Sequence, residues 1–133
     1  MDDKKEEHFE NYLATIIVDC CYQIHVGLGP GLLESVYEEI LFSELKEKGL
    51  KVERQKQLPV IWKGKTLDLG FRTDLIVENK VIIEIKSVLE IHPVYKKQLT
   101  TYLKLSGLKL GLLVNFNSPL IKTGITRLVN GLE

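Results

Sequence analysis

Apolar side chains at Phe9, Leu13, Ile16, Ile17, Cys20 and Ile24 recur at the spacing of one helix face, which predicts a helix over residues 6–26. Gly27-Leu28-Gly29-Pro30-Gly31 breaks that pattern sharply. A second helix is expected over 32–48, burying Leu33, Val36, Tyr37, Ile40, Leu41 and Leu45, with Gly49 as its left-handed cap. Strand signals follow over 51–55, 58–62 and 67–77, with a turn at Lys63-Gly64-Lys65, and over 81–88 after a polar break at Glu78-Asn79-Lys80. Pro93 suits the first position of a third helix ending before Gly107. Residues 108–116 are almost wholly apolar, as a central strand buried on both faces would be. Asn117-Ser118-Pro119 turns the chain, and 120–132 reads as a short closing helix. This order fits an α/β fold with a mixed central sheet flanked by helices. No repeat or linker interrupts it, so residues 1–133 read as one domain with an ordered core over about 9–130.

Three ionisable side chains interrupt the apolar runs around the 78–80 break: Asp74 before it, Glu84 and Lys86 after it. Buried charge is costly unless it is paired or ligates a metal. Glu84 and Lys86 share a strand face by alternation. A two-residue loop at Asn79-Lys80 would set Asp74 opposite Ile85, on the wrong face. A three-residue loop pairs Val77 with Val81, Ile76 with Ile82, and Asp74 with Glu84; Asn79 tolerates the left-handed conformation such loops need. That register gathers two carboxylates and an ammonium, the makings of a magnesium site with a catalytic lysine. A single Lys86–carboxylate ion pair would leave the second acid uncompensated.

With Gly31 as the cap of the second helix, Glu34 falls at the third helical position. A carboxylate there reaches back to the cap N–H and offsets the helix dipole, worth roughly 0.3–1 kcal/mol. Tyr37 follows one turn later at the border of the core. Gln98 and Tyr102 share a face of the third helix, with Tyr95 one turn earlier. His25 precedes the glycine turn and suits either a structural hydrogen bond or a supporting place at a site. Trp62 is read most simply as core or edge packing, since base stacking would need exposed aromatics beside a basic groove.

The Asp74, Glu84-Ile85-Lys86 pattern resembles that of the PD-(D/E)XK nuclease superfamily, with Thr73 where the name has Pro. Gly31-Leu32-Leu33-Glu34-Ser35-Val36-Tyr37 resembles the signature of the GxxExxY protein family, a small-protein branch of it. Gln98-Leu99-Thr100-Thr101-Tyr102 resembles the Gln-x-x-x-Tyr element of RecB-like members, and the order and approximate spacing match from Tyr12 to Val129. The resemblance implies a nuclease using Mg2+ or Mn2+, held by Glu34, Asp74, Glu84 and the backbone carbonyl of Ile85. Lys86 would orient or activate the attacking water, Gln98 and Tyr102 would position the substrate strand, and Gly31, Tyr37, His25 and Tyr95 would support them. DNA is expected ahead of RNA as substrate. The competing expectation is a nuclease-like domain with little or no catalysis, acting as a nucleic-acid- or protein-binding module. A third is a structural, oligomerising protein whose hairpin charges form an ion-pair network.

Eighteen basic and eighteen acidic residues give a formal net charge of zero, which argues against binding by bulk electrostatics. A local basic site drawn from Lys63, Lys65, Lys96, Lys97 and Lys104 remains open. No apolar run approaches the ~20 residues a bilayer demands, and residues 1–7 do not read as a secretion signal, so a cytoplasmic chain with no membrane partner is expected. Cys20 and Cys21 are adjacent and point apart on a helix, which favours packing over a mutual disulfide or zinc. A chain this small has limited surface for gripping duplex, which points to a homodimer or a partner protein.

Overall fold

The computed structural model describes residues 3–132, with side chains from Phe9 onward; Met1, Asp2 and Glu133, at the ends of the expected domain, lie outside the described residues. Helices α1 (Asp3–Leu28) and α2 (Glu34–Glu47) precede strands β1 (Val52–Trp62), β2 (Lys65–Val77) and β3 (Val81–Lys86). Then come α3 (Pro93–Ser106), β4 (Leu110–Asn115), the one-turn α4 (Ile121–Gly124) and β5 (Ile125–Val129). The five strands lie side by side in chain order, antiparallel except for the central β3–β4 pair. This is the mixed, helix-flanked α/β sheet that the patterning implies.

Period-two alternation divides the core between the two faces. Leu75, Val77, Val81, Ile83 and Ile85 pack with α1 and α2. Ile76, Ile82 and Leu113 pack with Leu99 and Leu103 of α3. Every residue of β4 is buried, which explains its unbroken apolar run. Gly111 lies on the α3 side, where an added Cβ would come within 3.0 Å of the Leu99 side chain, so its lack of a side chain lets the helix approach.

Five expectations are corrected, the first being that Leu33 and Val36 face the core: both are exposed at the start of α2. The stretch expected as a closing helix over 120–132 is helical only at Ile121–Gly124 and then forms β5. Its Ile-Thr-Arg-Leu-Val run pairs antiparallel with β4, whose outer backbone groups a helix would have left without partners. The two segments expected at 51–55 and 58–62 are one strand, because Gln55 adopts a left-handed φ of 52° and kinks β1 without ending it. Pro59 is tolerated because β1 is an edge strand. The cap of α2 is Leu33 rather than Gly31, so Glu34 is the first helical residue and not the third. Trp62, expected as packing, is 66 % exposed near the tip of the β1–β2 hairpin.

Candidate functional site

The hairpin between β2 and β3 has the three-residue loop. Val77 pairs with Val81, Ile76 with Ile82 and Leu75 with Ile83, while Glu78 and Asn79 both take left-handed conformations. The regular pairing stops there. Instead of facing each other as a backbone pair, Asp74 and Glu84 each spend a carboxylate on the partner strand's amide. Glu84 Oε2 accepts the Asp74 N–H at 2.8 Å, and Asp74 Oδ2 accepts the Ile85 N–H at 2.8 Å. The two strands splay at this point and the carboxylates fill the gap, satisfying amides that would otherwise be orphaned.

The kink continues into β1. Gln55 Nε2 donates to Glu38 of α2 at 2.5 Å and reaches Asp74 Oδ1 at 3.4 Å. Arg54 Nε donates to the other Glu38 oxygen at 2.8 Å. Side chains swap faces across this point. Val52 and Arg54 turn towards α1 and α2, whereas Leu58 packs with the α3 cluster and Phe71 stacks on Tyr102 at 4.4 Å. Glu38, Arg54 and Gln55 escape a sequence reading, since nothing in their spacing marks them. A buried Glu38 one turn after Glu34 is the only trace.

Glu84 is 7 % exposed, and burial followed by the charge of Asp74 pushes its carboxyl up to about 8. Lys86 opposes this rise only weakly and, among the described residues, forms no ion pair with either acid. Its ammonium sits instead over the Tyr95 ring, 4.3 Å from the centroid. The hairpin is therefore not held by the Lys86–carboxylate pair weighed above. Tyr102 stands close enough that burial and then the charges of Glu84 and Asp74 raise its phenol. Gln98, one turn before it, is exposed on the same helix.

Glu34 approaches from the other layer, where its Oε1 accepts the N–H of Ser87, just past β3, at 3.3 Å. The glycine turn is what brings it there. Gly31 has φ +104°, a conformation side chains disfavour. The Tyr37 hydroxyl donates to the Gly29 carbonyl at 2.6 Å and accepts the Leu32 N–H at 3.2 Å, while Ser87 Oγ donates to the Leu32 carbonyl at 2.6 Å. Tyr37, expected on the buried side of the second helix, is fully buried and stacks on Phe116 at 4.4 Å. An open pocket of about 490 Å3 lies between Gly31–Ser35, Ser87 and Asn117. Asn115 braces the same end of β3, exchanging hydrogen bonds with both backbone groups of Val88. His25 Nε2 lies 2.8 Å from the Ser118 carbonyl and ties α1 to the turn after β4.

Among the described residues no three His, Cys, Asp or Glu side chains are gathered tightly enough to hold a metal by themselves. The donor set at the gap nonetheless fits a hard divalent cation, which needs few protein oxygens. Two acids share one site there, and burial followed by the charge of Asp74 raises the Glu84 carboxyl, a shift that a bound cation would oppose. The Ile85 N–H points to Asp74, and a strand residue's C=O points to the same neighbour, so the Ile85 carbonyl faces this gap as well.

The family model of the PD-(D/E)XK nuclease superfamily matches residues 11–128. No curated protein and no solved structure matches the chain. Members of that superfamily generally use divalent metals. No helix among the described residues is long and apolar enough to cross a membrane.

Proposed function

Because the chain belongs to the PD-(D/E)XK nuclease superfamily, we propose that it is a Mg2+- or Mn2+-dependent nuclease hydrolysing phosphodiester bonds, with DNA ahead of RNA as substrate. The observation that carries this reading is the pair of carboxylates in the β2–β3 gap, with Lys86 next along β3 and seated over Tyr95 of α3. Gly31, Glu34 and Tyr37 favour the GxxExxY branch.

Asp74, Glu84 and the Ile85 carbonyl would hold the ion, together with Glu34, which is tied to Ser87 just past β3. Such an ion supplies neutralisation of phosphate charge and acidification of water. Lys86 orients the attacking water and counters charge developing on the phosphate, and the Tyr95 ring steadies its ammonium. Gln98 holds a phosphate oxygen or a water, and Tyr102, braced on Phe71, supports it. Gln55 and Glu38 aim the Asp74 carboxylate from behind.

The test is calorimetric titration of Mg2+ and Mn2+ into wild type and Glu84→Gln, followed by a screen of single-stranded, duplex and structured DNA and RNA. Saturable binding lost in the variant, with cleavage by wild type alone, is the expected result. Metal binding without cleavage of any nucleic acid, alone or with a partner protein, would leave the non-catalytic binding module in its place.

A further inference from the structure

We propose that the β1–β2 ribbon is a nucleic-acid arm that grips the phosphate backbone beside the catalytic gap. The inference rests on the nuclease reading above and deepens it. Only Leu75–Val77 of β2 pair with β3, so most of the β1–β2 hairpin projects beyond the sheet as a two-stranded ribbon. Residues 61–70 are all exposed. The ribbon runs directly into Asp74, so whatever it holds lies next to the site.

Its charge is unlike that of the whole chain. Residues 56–72 carry Lys56, Lys63, Lys65 and Arg72 against the single acid Asp68, whereas the full sequence balances eighteen against eighteen. Lys56 is taken by Glu53 at 2.8 Å. Lys63, Lys65 and Arg72 make no ion pair among the described residues and are free for phosphate. At the tip, Trp62 offers an exposed ring beside Lys63, whose ammonium lies 5.8 Å from the ring centroid. An indole exposed next to cations is a base-stacking element.

The shape fits too. A two-stranded ribbon is one of the two elements that enter the major groove of duplex DNA. At about 3.3 Å per residue, the ribbon from its tip to Asp74 spans roughly 30 Å, or about nine base-pair steps. A left-handed Lys63-Gly64 turn closes it, and Gly70 is required within it, because a Cβ there would collide with the Leu58 carbonyl. The exposed Ile61 and Leu69 would suit a second copy of this chain as well, but they do not explain three unpaired cations leading to two acids.

The test is fluorescence anisotropy with labelled single-stranded, duplex and overhang oligonucleotides in EDTA, read as affinity against salt. The variants are Lys63→Asn with Lys65→Gln and Arg72→Gln, a control of equal charge change (Lys46, Lys48 and Lys122 to Gln), and Trp62→Ala. Asn suits the left-handed position, and a charge-keeping Lys65→Arg with Arg72→Lys variant guards against misfolding. The ribbon variant should lose affinity at least tenfold and flatten the salt slope by up to about three. The control and the charge-keeping variant should stay near wild type, and Trp62→Ala should weaken binding with the slope unchanged. Equal loss in ribbon and control variants overturns the arm while leaving the nuclease reading intact. So does a ribbon variant that changes only the oligomeric state in sedimentation. Wild type that binds no probe in EDTA also overturns the arm, and the metal titration and cleavage screen above then decide the nuclease reading.

Discussion

Glu84 accepts the backbone N–H of Asp74 at 2.8 Å, so each of two acids on neighbouring strands stands where a backbone carbonyl would otherwise be. The carboxylates thus open the sheet at its buried centre and fill the opening. Each carboxylate satisfies one amide there, but a neutral acceptor would do the same, and the second negative charge is what the proposed cation would offset.

That arrangement carries a pH signature. Burial and Asp74 raise the Glu84 carboxyl to about 8, above its ordinary value of 4.5. The folded protein therefore binds more protons than the unfolded chain across that window, and without metal its stability falls as pH rises from about 4.5 to 8. Glu84→Gln should flatten this slope and, above pH 8, stabilise the protein by on the order of 2 kcal/mol. Urea unfolding in EDTA at pH 5, 7 and 9 checks both points. A variant that is less stable than wild type at pH 9 would count against the strained pair.

Metal should reverse the comparison. A ligand that binds only the folded state raises its stability by mass action. Millimolar Mn2+ should raise the melting temperature of wild type and leave Glu84→Gln and Asp74→Asn unmoved. Because Glu84 must give up a proton to bind, metal affinity should increase with pH towards 8. Thermal melts across pH and metal concentration measure this.

Lys86 is seated on an aromatic ring rather than on a carboxylate. Lys86→Met should lower cleavage by about 10²- to 10⁴-fold while metal binding, read by calorimetry, persists. Tyr95→Phe keeps the ring and should retain most activity; Tyr95→Ala should lose more. Equal behaviour of the two Tyr95 variants would show that the ring does not steady the ammonium.

Tyr37 fastens the glycine turn through its hydroxyl and packs through its ring. Tyr37→Phe should cost roughly 1–3 kcal/mol, because it leaves the Gly29 carbonyl and the Leu32 N–H without their partner. Tyr37→Ala adds a cavity and should cost roughly 3–5 kcal/mol. Denaturant melts give both values. If the turn positions Glu34, Tyr37→Phe should also weaken metal binding, while a variant distant from the site, such as Val129→Thr on β5, should not.

Much of this was legible in the residues alone. The helical periods of α1, α2 and α3 and the apolar run of β4 are local patterns, written in side chains a few positions apart. The 78–80 loop, which set the Val77–Val81 register, could be chosen from chain alternation because a one-residue slip reverses every face. Tertiary structure decided the remainder. Residues 125–129 are a strand because the open edge of β4 recruits them, a demand set by a neighbour that the β-branched Ile125, Thr126 and Val129 only hint at. Gln55 turns left-handed, and Asp74 turns into the gap, because two strands part there and their amides need acceptors. Glu38, Arg54 and Gln55 join Asp74 only through that fold, since their link crosses from α2 to β1 to β2. The sequence by itself determined which elements form and which charges lie in apolar strands. Only the packed sheet decided where those charges point, because direction follows from neighbouring strands and not from position in the chain.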